Sequence, residues 1–217
     1  MEVDRLARVI LMSAAVIIAV GKTVSCQKYN TESADMCRMF AKNPYFDPEL
    51  VVGKPWRIYY TWNVKLGSKC LDVIYRNATK EIIQRFWSEM NEYLEYQPNW
   101  NAAALLLTLR SPQHEILLFA NQGPAGSFIG LPNVIRDGNP LPKMVFLTKF
   151  HMKLIRNGKY LVMMDCKMGA ATLSSRVRKS PPSMVDLASL SVELRLGEGH
   201  HACMTEMAKN DNDRFFA

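Results

Sequence analysis

The chain has no C-x-x-C pair, so neither a zinc ribbon nor a thioredoxin-type redox site is indicated. It has no Gly-rich phosphate loop, no H-E-x-x-H and no G-x-S-x-G, which removes the familiar nucleotide-binding, zinc-protease and serine-hydrolase signatures. No segment repeats. Beyond the first two dozen residues no apolar run approaches the roughly 20 residues needed to span a bilayer. Histidine is scarce, four in 217 residues. The acids Asp72, Asp165 and Glu193 stand alone, without a nucleophile–base arrangement, and the chain reads as non-enzymatic. The net charge of +7 comes from basic residues scattered singly. A stripe of Lys and Arg interleaved with aromatics is missing, which argues against nucleic acid as a partner and for a solvated basic surface.

What is present at the N-terminus is an export signal. Arg5 and Arg8 precede an apolar run, Val9 to Val20, too short for a membrane anchor. Val24 and Cys26 occupy the −3 and −1 positions of a cut before Gln27. Residues 1–26 thus read as a signal peptide and 27–217 as one secreted domain, large enough for a substantial core. Cleavage there removes three basic and two acidic residues, so the charge falls only from +7 to +6. It also leaves Cys37, Cys70, Cys166 and Cys203. Four cysteines in an oxidising compartment imply two disulfides with three possible pairings; an earlier cut would leave Cys26 as a fifth thiol. Asn77-Ala78-Thr79 is a glycosylation acceptor in such a setting.

The chain after that point is rich in strand patterns. Residues 27–50 are polar and turn-rich and read as an irregular lead-in with at most a helical turn. Trp56 to Trp62 alternates, with Trp56, Ile58, Tyr60 and Trp62 on one face. Gly67-Ser68 turns the chain into Cys70–Arg76, where Leu71, Val73 and Tyr75 share a face. Residues 80–96 fit either a helix or bent strands around Asn91, and their neighbours favour strands. Leu105–Leu109 and Glu115–Ala120 follow as strands, separated by a turn at Arg110–Gln113. Asn121–Pro142 reads as a long Gly-, Pro- and Asn-rich loop. Met144–Phe150 and Met152–Ile155 read as two strands, and Asn157-Gly158 turns the chain into Tyr160–Cys166. Ala170–Arg176 is a last strand. Pro181-Pro182 stops it, and Ser183 opens a helix with Met184, Leu187, Leu190 and Leu194 near one face. The tail from Lys209 is polar and frayed. Many short antiparallel strands joined by turns indicate a sandwich or an up-and-down barrel.

Three elements carry a resemblance to the lipocalin family across residues 37–204. Gly53-Lys54-Pro55-Trp56 is similar to the family's Gly-x-Trp element, with one extra residue. Asn157-Gly158-Lys159-Tyr160 keeps the turn and the Tyr of its second element. Leu173-Ser-Ser-Arg176 matches the arginine that ends the last barrel strand. The resemblance implies an all-β fold: an eight-stranded antiparallel up-and-down barrel with the C-terminal helix packed outside. It implies that Arg176 stacks on Trp56 at the closed end. The cysteine order resembles that of insect pigment-binding members, implying Cys37–Cys166 and Cys70–Cys203.

A barrel of this size holds one small ligand. The resemblance therefore implies carriage of a small hydrophobic molecule: a pigment, fatty acid, sterol or odorant-like compound. Candidate wall residues are Ile58, Tyr60, Trp62, Leu71, Val73 and Tyr75, with Phe146, Met152 and Met164 adding to the wall. Alternation alone does not separate a lined cavity from a filled core. Tyr60→Ala or Trp62→Ala would weaken binding without unfolding if the cavity reading holds. No cofactor or metal is expected. Haem or a bilin-type pigment is what some barrels of this family carry, but His200 and His201 read as solvated loop residues. His151 points outward if Phe150 and Met152 point inward, and His114 stands alone. The competing reading is a protein-interaction module, an inhibitor or salivary effector with a filled barrel, acting through loops such as Asn121–Pro142.

Overall fold

The computed structural model describes residues 26–66, 70–109, 114–135, 144–177 and 181–203. Of the expected leader over residues 1–26, all but Cys26 lies outside the described residues, as do the turns at Gly67-Ser68 and Arg110–Gln113 and the tail from Lys209. Among the described residues there are nine strands: β1 Trp56–Trp62, β2 Leu71–Asn77, β3 Ala103–Leu109, β4 Glu115–Ala120, β5 Ser127–Pro132, β6 Thr148–Ile155, β7 Tyr160–Asp165, β8 Ala170–Arg176 and β9 Gly199–His201. From β2 to β8 each strand pairs antiparallel with the next, and β1 joins β8 on one side and β2 on the other. The result is a closed eight-stranded up-and-down barrel, the one of the two architectures left open by the strand pattern that the lipocalin resemblance implied.

Strand β1 divides one of its edges between two neighbours. Trp56, Arg57 and Ile58 pair with Val73, Asp72 and Leu71 of β2, while Tyr60, Thr61 and Trp62 pair with His201, His200 and Gly199 of β9. Between the two halves lies a bulge: Ile58 faces Ser174 of β8 and Tyr60 faces the very next residue, Leu173. An extra residue in one strand rotates everything beyond it to the opposite face of the sheet. This bulge decides which aromatics reach the lumen.

Among the described residues, four α-helices lie around the barrel: α1 Cys26–Phe40, α2 Pro48–Val51, α3 Lys80–Met90 and α4 Met184–Leu194. Helix α4 is capped as its sequence foretells. Ser183 Oγ accepts from Asp186 N at 3.1 Å, and Leu187 and Leu190 are buried against the outer face of β1, β7 and β8. Helix α1 corrects the irregular lead-in. Its sequence is mostly polar, yet Ser33, Met36, Cys37 and Phe40 fall on one face at helical spacing, and the Cys37–Cys166 disulfide ties that face to the barrel. Helix α3 corrects the bent strands expected over 80–96. Thr79 Oγ1 accepts from Ile82 N, and Ile82, Phe86 and Met90 pack against Leu106, Leu117 and Phe119 on the outer face of β3 and β4. A cap followed by apolar residues four apart was the decisive signal.

Two smaller corrections concern β5 and β6. Ser127–Pro132 inside the expected loop is a strand, and Thr148–Ile155 is one strand rather than two. Both disulfides join as the resemblance implied, Cys37–Cys166 and Cys70–Cys203. Among the described residues no helix is long and apolar enough to cross a membrane.

At one end of the barrel, α2 and the segment before it close the lumen. Phe46, Val51 and Val52 pack onto Trp56 and the inner residues of the barrel. Trp56 is fully buried, its Nε1 donates to Val51 O at 3.0 Å, and the Arg176 guanidinium carbon lies 4.5 Å from the centre of its ring. Arg176 also donates to Leu50 O.

Candidate functional site

The opposite end of the barrel contains a cavity of about 190 Å³. Its wall comes from nearly every side of the ring: Ile58 of β1, Val73 and Tyr75 of β2, Leu107 and Leu109 of β3, Ile116 of β4 and Phe150 of β6. Met163 and Asp165 of β7, Ala170 and Thr172 of β8, and Asn63, Val64 and Met168 from the connecting turns complete it. The remainder of the interior is filled, by Trp56, Leu105, Leu118, Phe128, Met152, Leu154 and Leu161 among others. The barrel is thus packed at the Trp56 end and hollow at the other. Gly130 helps to make the hollow, because a Cβ there would lie 2.4 Å from the Phe150 ring that forms part of the wall.

The polar groups on this apolar wall are few. Asp165 is buried, and its Oδ1 accepts from Lys167 N at 2.8 Å and Met168 N at 3.0 Å, which shapes the β7–β8 turn at the mouth. Asn63 holds a left-handed backbone (φ 58°) and its Nδ2 donates to Gly169 O and Leu196 O, both at 2.8 Å. That residue therefore fastens the rim rather than offering its amide hydrogens inward. Tyr75 donates its hydroxyl to the Met163 sulfur at 3.6 Å, a weak acceptor. Burial pushes the Tyr75 phenol far above its ordinary value, so it stays a neutral hydroxyl at every physiological pH.

The sequence-selected wall divides into four sets. Ile58, Val73 and Tyr75 line the cavity. Leu71 and Met152 belong to the same inner cluster without reaching the cavity wall. Tyr60, Trp62 and Met164 lie outside the barrel, beneath α4. Tyr60 donates its hydroxyl to Ser191 Oγ of α4 at 3.3 Å, and its ring crosses β9 where Gly199 has no Cβ to obstruct it. The bulge turned Tyr60 and Trp62 outward. Met164 sits outward because its neighbours Met163 and Asp165 take the inward phase of β7. Phe146 precedes β6, is 43% exposed, and has the Lys167 ammonium 5.2 Å from its ring centre. The missed residues were hidden by uniform runs. In Ala-Ala-Leu-Leu-Leu-Thr-Leu and Met-Met the hydrophobicity carries no parity.

The histidines stand apart from the cavity. Buried His151 belongs to the outer face of β6, flanked by the inward Phe150 and Met152. His200 and His201 are in β9, not in a loop, and His201 meets the Tyr60 ring edge-on at 5.0 Å. Burial, with Lys149 adding to it, lowers the His151 pKa, and burial lowers that of His201. The unfolded chain therefore binds protons more readily than the folded one as pH falls below about 6.5. The melting temperature should decline between pH 7 and 5.5, and His201→Gln should flatten that decline. Equal slopes in thermal melts of both proteins would count against it.

Neither a family model, nor a curated protein, nor a solved structure matches the chain. The reading of its function accordingly rests on the barrel and its cavity. The fold is compatible with a ligand-binding protein.

Proposed function

We propose that this chain is a divergent, secreted lipocalin-like carrier that binds a compact, mostly apolar molecule and catalyses no reaction. The observation that carries the reading is the apolar cavity that opens at one end of an otherwise packed barrel. A cavity of about 150 Å³ lined by aliphatic and aromatic residues holds a benzene ring. The present one is somewhat larger, which favours a ligand of one or two rings, or a branched chain of that bulk. Odorant-like compounds fit this size; haem, bilins and sterols exceed it. The buried Asp165 carboxylate on the wall favours a ligand with one hydrogen-bond donor, oriented towards the mouth.

Two observations support an extracellular setting. Both disulfides belong to oxidising compartments, and Asn77 is exposed at the end of β2, within reach of a glycosylating enzyme. The interaction-module reading draws on another feature, the exposure of Trp87 on α3 and of Tyr96 after it, at 50% and 71%.

Val73→Phe places extra carbon into the cavity. Its affinity for a naphthalene-sized fluorescent probe should fall at least tenfold, while overpacking costs about 1–3 kcal/mol of stability. Tyr60→Ala, in contrast to the expectation from alternation, should leave probe affinity unchanged. A wild-type protein that binds no apolar probe, or a folded Val73→Phe that binds as before, would move function to the outer surface.

A further inference from the structure

On the outer wall, far from any role in ligand binding, three ligating side chains converge. Cys37 stands near the C-terminal end of α1, Cys166 follows β7, and His151 is central in β6. Their two Sγ atoms and an imidazole nitrogen all lie within 4.8 Å of one another. Cys37 and His151 are buried, while Cys166 is half-buried and leaves one side accessible. We propose that opening the Cys37–Cys166 disulfide with a thiol reductant creates a Cys2His site for Zn2+ or a similar divalent transition-metal ion.

The balance is simple. Two reductant thiols become one disulfide, and their two electrons and two protons convert the Cys37–Cys166 bond into two thiols. Each thiol then releases its proton to solvent as it binds the metal. Two thiolates neutralise the charge of a divalent cation, and the combination of soft sulfur with imidazole selects zinc over calcium or magnesium. Three protein ligands leave the fourth tetrahedral position for water, on the side that Cys166 exposes.

The backbone already suits this exchange. The Cα atoms of Cys37 and Cys166 are 5.3 Å apart, so side-chain rotation, not movement of α1, separates the sulfurs. Contacts other than the disulfide keep α1 seated. Ser33 Oγ donates to Lys167 O at 3.4 Å, and Gly169 permits Met36 and Ser33 to pack directly on the β7–β8 turn. Each disulfide joins a buried cysteine (Cys37, Cys203) to a half-buried one (Cys166, Cys70), so a reductant reaches both, but only the first pair has an imidazole beside it. A metal ion would thus substitute for the covalent staple between α1 and the barrel.

The test uses the full chain, reduced with a dithiol, freed of it and titrated with Co2+ without oxygen. The expected result is one equivalent of cobalt showing the strong visible bands of four-coordinate metal and a thiolate charge-transfer band, all displaced by Zn2+. His151→Gln should weaken cobalt binding by roughly a hundredfold. In the wild type, bound Zn2+ should protect Cys37 and Cys166, and not Cys70 or Cys203, from alkylation mapped by mass spectrometry. Absence of the bands, protection at the other pair, or unchanged affinity in His151→Gln would overturn the proposal. So would loss of near-ultraviolet circular dichroism on reduction that zinc does not restore.

Discussion

Trp56→Ala should destabilise the protein by about 3–5 kcal/mol, the range for emptying a buried indole site. The effect belongs at the top of that range because the side chain performs several tasks. Trp56 is fully buried and pairs with Val73 on one side and Arg176 on the other, at the point where β2, β1 and β8 close the ring. Truncation leaves a cavity at the packed end, deprives Val51 O of its donor, and removes the surface over which Arg176 lies. Chemical denaturation would read the loss as a lower midpoint at unchanged slope. Arg176→Met separates the contributions, since a double-mutant cycle should return a coupling of about 0.5–2 kcal/mol for the guanidinium over the ring. A coupling near zero would mean that the stacking is incidental and that Trp56 acts through burial alone.

Asp72→Ala should cost a similar amount, about 3–5 kcal/mol, by a different mechanism. Arg57 and Asp72 face each other across β1 and β2. Arg57 Nε and Nη2 donate to the two carboxylate oxygens at 2.6 and 3.0 Å, and both residues are less than a tenth exposed. Removing the carboxylate leaves the guanidinium in a site that water scarcely reaches. The double variant Arg57→Met with Asp72→Leu should recover most of the loss, because an apolar pair of similar bulk carries no desolvation cost. If the single and double variants are equally destabilised, the ion pair is not the cause and the packing around it is.

Much of the architecture was legible in local signals that agree with one another. Pro181-Pro182, the Ser183 cap and the leucines of α4 define the C-terminal helix, and Asn157-Gly158 marks the β6–β7 hairpin, whose turn residues have positive φ. Helix α3 was illegible by apolar content alone, since Ile82, Phe86 and Met90 suit either element; the Thr79 cap and the outer face of β3 and β4 decide it. Helix α1 has too few apolar residues to show itself without its disulfide partner. The cavity was the least legible part. Tyr60 and Trp62 obey perfect alternation with Ile58, but a bulge is a choice of hydrogen-bond partners between strands, and β9, which shares the edge of β1, is distant in sequence. Asp165 seemed an isolated acid because its partners in the turn at the mouth, Lys167 N and Met168 N, are backbone groups rather than charged side chains.

The order of the two disulfides along the chain has a topological consequence. Cys37 pairs with Cys166 and Cys70 with Cys203, so the two covalent loops overlap instead of lying side by side. Any single backbone cut between residues 37 and 203 falls inside at least one loop. A protease that nicks a surface turn would therefore release no fragment, and the severed pieces would stay joined, held in register by the barrel around them. Such a molecule can be cleaved once and still be whole, parting only when a reductant reaches the sulfurs.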